Sequence, residues 1–198
     1  DVQVIAAAEW SESPEALARA KEAVAQGDII IANLLFLEEH VKAILPAMQS
    51  RRDHCDAMLG VIADAEIVKL TRMGDLDMSK PASGAMALMK KLRGSSKASA
   101  SSGAKQMKTL RRLPKILKLI PGKAQDLRAW FLCMQYWLGG SDDNVEQMIR
   151  FLIGRYADRS DWRGAQADLP IEYSDVGLYH PDLPDHHIVT DLADLPAP

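Results

Sequence analysis

Three groups of residues in this sequence carry side chains suited to chemistry. The densest is Arg51-Arg52-Asp53-His54-Cys55-Asp56. An imidazole beside a thiol suits a metal or a reactive thiolate. Adjacent side chains on an extended chain point to opposite faces, so they rarely ligate one ion together. The expectation for this cluster is therefore a solvated turn entering a strand. The second group is His180, His186 and His187, set among Asp and Pro in Tyr179-His180-Pro181-Asp182-Leu183-Pro184-Asp185-His186-His187. Imidazole and carboxylate together suit a divalent cation. No helix or strand pattern organises them, so an exposed loop is expected. The third group, Trp130, Met134 and Trp137, has the surface to line a pocket for a flat apolar ligand. Its spacing is that of a buried helical stripe, and such stripes are usually core. The sequence holds no P-loop, GxSxG, HExxH or GxGxxG motif and no zinc spacing. No catalytic or metal-binding residue is assigned.

The elements that would position these groups fall into two styles. Residues 1–75 alternate between strands and helices. Val2 to Ala8 reads as a short apolar strand. Ser13-Pro14-Glu15 starts a helix, with Ser as N-cap, Pro at the first position and an acid in the first turn. Gly27 stops it. Ile29 to Phe36 is a near-continuous apolar run, as in a strand buried on both faces of a parallel sheet. A helix follows from about Leu37, with Val41, Ile44, Leu45 and Met48 at helical spacing. Ala57 to Ala63 is a third buried strand, and Ala65 to Arg72 a further helix ended by Gly74. This order predicts an α/β fold, an incomplete doubly wound parallel sheet of the Rossmann or flavodoxin-like kind. Three strands make a thin sheet, so at least one more is expected before Asp1.

Beyond residue 79 the pattern changes. Ala85 to Leu92 suits a short helix, and Gly94 to Gly103 is low-complexity Ser, Ala, Gly and Lys that buries too little to order itself. Residues 105–157 turn helical. Pro114 should kink or interrupt a basic amphipathic helix, and Pro121-Gly122 ends it. Leu127, Trp130, Phe131, Met134, Trp137 and Leu138 form one stripe. After the Gly139-Gly140 break, Ser141 caps a helix lined by Val145, Met148, Ile149, Leu152 and Tyr156. The expected division is a partial α/β lobe at 1–78 and a basic linker at 79–105. A helical region at 106–157 and an acidic extended connection at 158–198 complete it.

Charge follows the same division. Between Lys80 and Arg128 thirteen Lys and Arg face one acid, whereas from Asp161 onward eight acids face one base. Such polarity marks segments that meet different partners or each other. Lys115, Lys118 and Lys123 are the candidate partner-docking residues. Aromatic residues join the basic run only from Trp130, on the side expected to be buried, so nucleic-acid binding is not expected. The longest apolar run, Ile29 to Leu37, is far short of the roughly 20 residues that span a bilayer. Two distant cysteines, Cys55 and Cys133, fit a reducing cytoplasm better than a disulfide framework. The first residue is not Met, and the abrupt ends suggest a piece of a larger protein.

Several long stretches, in order, resemble one family. They are Ala32-Asn33-Leu34-Leu35-Phe36-Leu37-Glu38-Glu39-His40, Arg51 to Gly74, Asp126 to Ala157 and Tyr173 to Pro184. Together they resemble the N-terminal region of the magnesium chelatase H subunit, more the bacteriochlorophyll type than the plant type. The large subunit of cobaltochelatase is a more distant likeness. The resemblance implies the porphyrin-binding subunit of a three-subunit enzyme. That subunit holds protoporphyrin IX while an ATPase motor on the other two drives Mg²⁺ insertion. Mg²⁺ would be a substrate and ATP would be hydrolysed by the partners, with neither expected on this chain. No catalytic residue carries over. A docking module without chemistry is the alternative reading.

Overall fold

The computed structural model describes residues 1–80, 124–159, 161–162, 164–171, 177–183 and 188–196. Helix α1 (Pro14–Gln26) starts as its sequence dictates. The Ser13 hydroxyl accepts from the Ala16 N–H, Pro14 stands at the first position, and the small faces of Ala16 and Ala20 are buried. Strand β1 (Ile29–Asn33) follows, then α2 (Glu38–Arg51) and β2 (Ala57–Val61). The two strands pair in parallel, from Ile29 opposite Ala57 to Asn33 opposite Val61. Every residue of β2 is buried, as expected for a strand covered on both faces.

The α/β reading holds, with two local differences besides the end of β1, which comes at Asn33 and not at Phe36 and leaves only Ile30 of the strand buried. Val2 to Ala8 is not a strand. Val4 is 94% exposed, and a single 3-10 turn spans Ala7–Ser11. Trp10 packs edge-on against His40, with ring centroids 5.7 Å apart, and draws this segment over the helices instead of to the sheet. Second, α3 (Ala65–Lys69) is shorter than its pattern suggests. Arg72 and Met73 form β3, which turns through Gly74-Asp75 into β4 (Leu76–Asp77). Both pairings that follow β2 are antiparallel, so the sheet is mixed, in the order β1-β2-β3-β4. The reason lies in the short connection. A chain leaving α3 after two residues reaches the neighbouring edge of β2 only in the opposite direction.

Side chains alternate across β2 and build two cores. Met58 and its β1 neighbour Ile30 face Val41, Ile44 and Met48 of α2 and Ile67 of α3. Ala57, Leu59 and Val61 face the other way, onto α4 (Ala124–Gly139) and α5 (Asp142–Tyr156). The aromatic stripe and the bare sheet face thus cover each other, leaving Trp130 4% exposed and Leu152 fully buried. Each such large side chain contributes about 1.5–3 kcal/mol relative to exposure. The stripe is rotated from its expected setting. Cys133 and Tyr136 are inside while Leu138 is 45% exposed, because α4 is covered by a further segment described below. The expected 85–92 helix, the 94–103 linker and the basic helix with its Pro114 break lie outside the described residues.

Candidate functional site

Parallel strands present their carboxyl ends as the usual place for a site in an open α/β sheet. Here both strands end on a strained residue. Leu34, just after β1, has φ +52°, and Ile62, just after β2, has φ +48°. The left-handed conformation costs a side-chain-bearing residue about 1–2 kcal/mol, and a β-branched residue there is an outlier. The two are tied together. The Leu34 N–H donates to the Ile62 carbonyl at 3.0 Å, and the Asp64 N–H to the Leu35 carbonyl at 2.8 Å. The turn aims Leu34, Phe36 and Leu37 outward, each more than half exposed. Asn33 Oδ1, one residue earlier, is shielded from water and meets no donor among the described residues. Trp10 Nε1, on the ring that touches His40, is likewise buried without an acceptor among the described residues. This rim can bind through its exposed apolar surface. Among the described residues it holds no nucleophile paired with a base.

The Arg51–Asp56 cluster is a structural clasp. Arg52 donates through Nε to the Leu70 carbonyl at 3.0 Å and pairs with Asp77 on β4. Arg72 donates to the carbonyls of Arg52 and Cys55. Two guanidinium groups thereby satisfy main-chain acceptors of the turn and lock it to the hairpin. Burial works against ionisation of Asp77. Hydrogen bonds from Ser79 and Lys80 and the charge of Arg52 outweigh it, holding the carboxyl well below the usual range. Burial pushes the Cys55 thiol up despite the nearby Arg72 and Arg51, which disfavours the thiolate. Cys55 points inward and His54 outward, so the two do not form one site.

Asp126, at the start of α4, ties three elements together. Its carboxylate accepts from the Asp75 N–H at 2.9 Å, from Arg155 at 3.0 Å and from the Tyr156 hydroxyl at 2.9 Å. Gly74, at φ +55°, admits this approach, since a Cβ there would lie 2.6 Å from Asp126 Oδ2. Burial, then the charge of Asp126, raises the Tyr156 hydroxyl far above the ordinary phenol, so it acts as a donor.

Residues 164–171 form an extended strap across α4 and α5. Fully buried Asn144 reads one residue of it on both sides. Its Nδ2 donates to the Ile171 carbonyl at 3.1 Å, and its Oδ1 accepts from the Ile171 N–H at 2.9 Å. Tyr136 donates to the Asp168 carbonyl, and Gln147 accepts from the Asp168 N–H at 2.9 Å. Burial, together with the neighbouring Cys133 and Asp168, pushes the Tyr136 hydroxyl up to about 12. The Gly164 N–H reaches the Gly154 carbonyl at 3.0 Å, and the missing side chain of Gly154 makes room for the Ala165 main chain.

The remaining expected groups separate. His180 Nδ1 accepts from the Asp182 N–H at 3.2 Å and closes a turn. His186, His187, Lys115, Lys118 and Lys123 lie outside the described residues. Trp130 donates to the Gly60 carbonyl at 3.2 Å inside the core, while Met134 and Trp137 pack at its margin. Among the described residues no group of three His, Cys, Asp or Glu is placed to hold a metal ion. No described helix is long and apolar enough to cross a membrane. Sequence reasoning missed the rim and Asn144. The apolar sequence Leu34 to Leu37 continued the buried run and gave no sign of turning outward. Asn144 looked like one more polar residue after a cap.

A family model described as "Domain of unknown function (DUF3479)" matches residues 1–131. Over 197 residues, 100% of this chain, the sequence is 64% identical to the magnesium-chelatase H subunit of Rhodobacter capsulatus and 63% identical to that of Cereibacter sphaeroides. It is 32% identical over 165 residues, 81% of this chain, to the chloroplastic magnesium-chelatase ChlH subunit of Oryza sativa subsp. indica. The chain spans 16% of the length of each of the two bacterial relatives and 12% of the rice relative.

Proposed function

The chain belongs to the DUF3479 family, and from that premise we propose that it is a supporting and docking lobe of a magnesium-chelatase H subunit. The observation that carries the proposal is the 64% identity along its whole length to a protein of that name. In this reading the intact subunit binds protoporphyrin IX, and two ATPase-motor subunits drive Mg²⁺ insertion for bacteriochlorophyll synthesis in the cytoplasm. Mg²⁺ is a substrate, and ATP is consumed on the partners.

Metal insertion needs a base for the pyrrole N–H protons and oxygen or imidazole ligands that replace water on Mg²⁺. The best-anchored polar groups are instead engaged in holding main chain: Arg52 and Arg72 in the clasp, Asp126 at its junction, Asn144 under the strap. We therefore assign the insertion chemistry to other parts of the subunit. The four-part division at 78, 105 and 157 remains our proposal for the chain's organisation, and Lys115, Lys118 and Lys123 our proposed contacts to the motor.

The test replaces the matching segment of the Rhodobacter capsulatus protein with this chain and measures Mg²⁺ insertion with the other subunits present. Activity within about threefold of the parent is expected. A folded chimera that binds porphyrin and motor subunits normally yet inserts no metal would overturn the supporting role. Charge reversal at Lys115, Lys118 and Lys123 should weaken motor association, more so at low salt. Unchanged association would remove those lysines from the proposal.

A further inference from the structure

The rim at the carboxyl ends of β1 and β2 combines three features that the lobe itself does not use. Leu34 and Ile62 hold left-handed backbone without a glycine, at φ +52° and +48°. Strain of this kind persists where the surroundings over-determine it, and it gathers at binding and switching positions. Asn33 Oδ1 is buried next to the turn with no donor among the described residues. Leu34, Phe36 and Leu37 stand 59%, 55% and 57% exposed within four positions of chain. The backbone bonds from Leu34 to Ile62 and from Asp64 to Leu35 hold the turn, and the three side chains stand out from it as a ledge.

We propose that this ledge seats another part of the same subunit polypeptide, an apolar segment packed on Leu34, Phe36 and Leu37. The inference rests on the reading that the chain is one part of a chelatase H subunit. Its occupant is argued from length and chemistry. The chain spans 16% of each bacterial relative, so about five-sixths of the polypeptide lies outside it and is tethered to it. A tethered segment meets the ledge at an effective concentration that a free partner seldom reaches. The ledge itself bears no charge, which fits the centre of a permanent contact better than a transient one.

The test uses the full-length subunit with a photo-activated benzoylphenylalanine in place of Phe36. The same analogue in place of Trp10, where the ring touches His40, serves as a labelling control. Irradiation should give a cross-link at monomer mass, joining position 36 to a peptide outside these 198 residues. A cross-link to a peptide within these 198 residues, adducts at dimer mass, adducts with a motor subunit, or no adduct while the control labels would each overturn the proposal. Phe36→Ser and Leu37→Ser together should also speed protease cleavage between this lobe and the rest at least threefold, with the circular dichroism spectrum unchanged. An unchanged cleavage rate would count against it. Failure here with an active chimera sinks only the ledge; an inactive chimera sinks the reading beneath it.

Discussion

The strap groove and the rim are both places where irregular backbone crosses the ends of regular elements, and they are finished differently. In the groove, Asn144, Tyr136 and Gln147 satisfy the main chain of Asp168 and Ile171, and Gly154 clears a path for Ala165. At the rim, an amide oxygen is buried with no donor among the described residues, two residues are strained and three apolar side chains face water. Buried polar groups are nearly always satisfied, and each exception asks for a reason. The groove is complete as it stands. The rim is complete only in company.

Substitutions can break or sharpen this contrast. The largest effect is expected from Gly154→Ala. On an open helix the change would stabilise by up to about 1 kcal/mol. Here its methyl meets the Ala165 main chain, and a loss of about 2–3 kcal/mol in denaturant unfolding is expected. A gain would show that the strap does not lie in the groove. Asn144→Ala comes next, at about 2 kcal/mol, since it leaves the N–H and the carbonyl of Ile171 without partners.

Asp77→Asn tests the clasp, with a cost of about 1–2 kcal/mol at neutral pH. The folded-state carboxyl titrates below its unfolded value. Its contribution is therefore present above the unfolded pKa, near 4, and lost as pH falls through the folded value. The gap between parent and variant should close progressively below about pH 4. A gap constant from pH 7 to pH 3 would mean that the carboxylate charge is irrelevant.

At the rim the effects nearly cancel. Ile62→Gly should change stability by less than about 1 kcal/mol, because relief of the left-handed strain is offset by the added chain entropy and by the packing Ile62 loses against the core. A loss of more than about 1 kcal/mol would mean that the Ile62 side chain supports the core more than its backbone burdens it. The smallest effect is expected from Phe36→Ser, within about 0.5 kcal/mol in this chain. A larger loss would place Phe36 in the lobe's own packing.

The difference between the two regions also marks what the sequence could disclose. Ser13 and Pro14 announced α1, because a cap and a first-turn proline act through local geometry alone. The run Ala57 to Val61 announced a doubly buried strand, because only such a strand tolerates five consecutive shielded positions. Val2 to Ala8 had the composition of a strand but no partner to pair with, and Trp10 took the chain elsewhere. Helix α3 stopped early for a comparable reason: the guanidinium of Arg72 is bonded to carbonyls 17 and 20 positions back. Asn144 was illegible because its partner is main chain 27 residues away, which carries no side-chain signature. Leu34 and Ile62 were illegible in a stronger sense. Their residue types argue against the conformation they adopt.

The strap is gripped by its peptide groups, while side chains such as Leu169 point into water at 73% exposure. A groove that recognises main chain sets few demands on the letters of the strand it holds. Mutations along residues 165–169 should therefore accumulate with little penalty, while Asn144 and Gly154, which do the gripping, should resist change. The strap would then be an address written in backbone, stable in position while its text drifts.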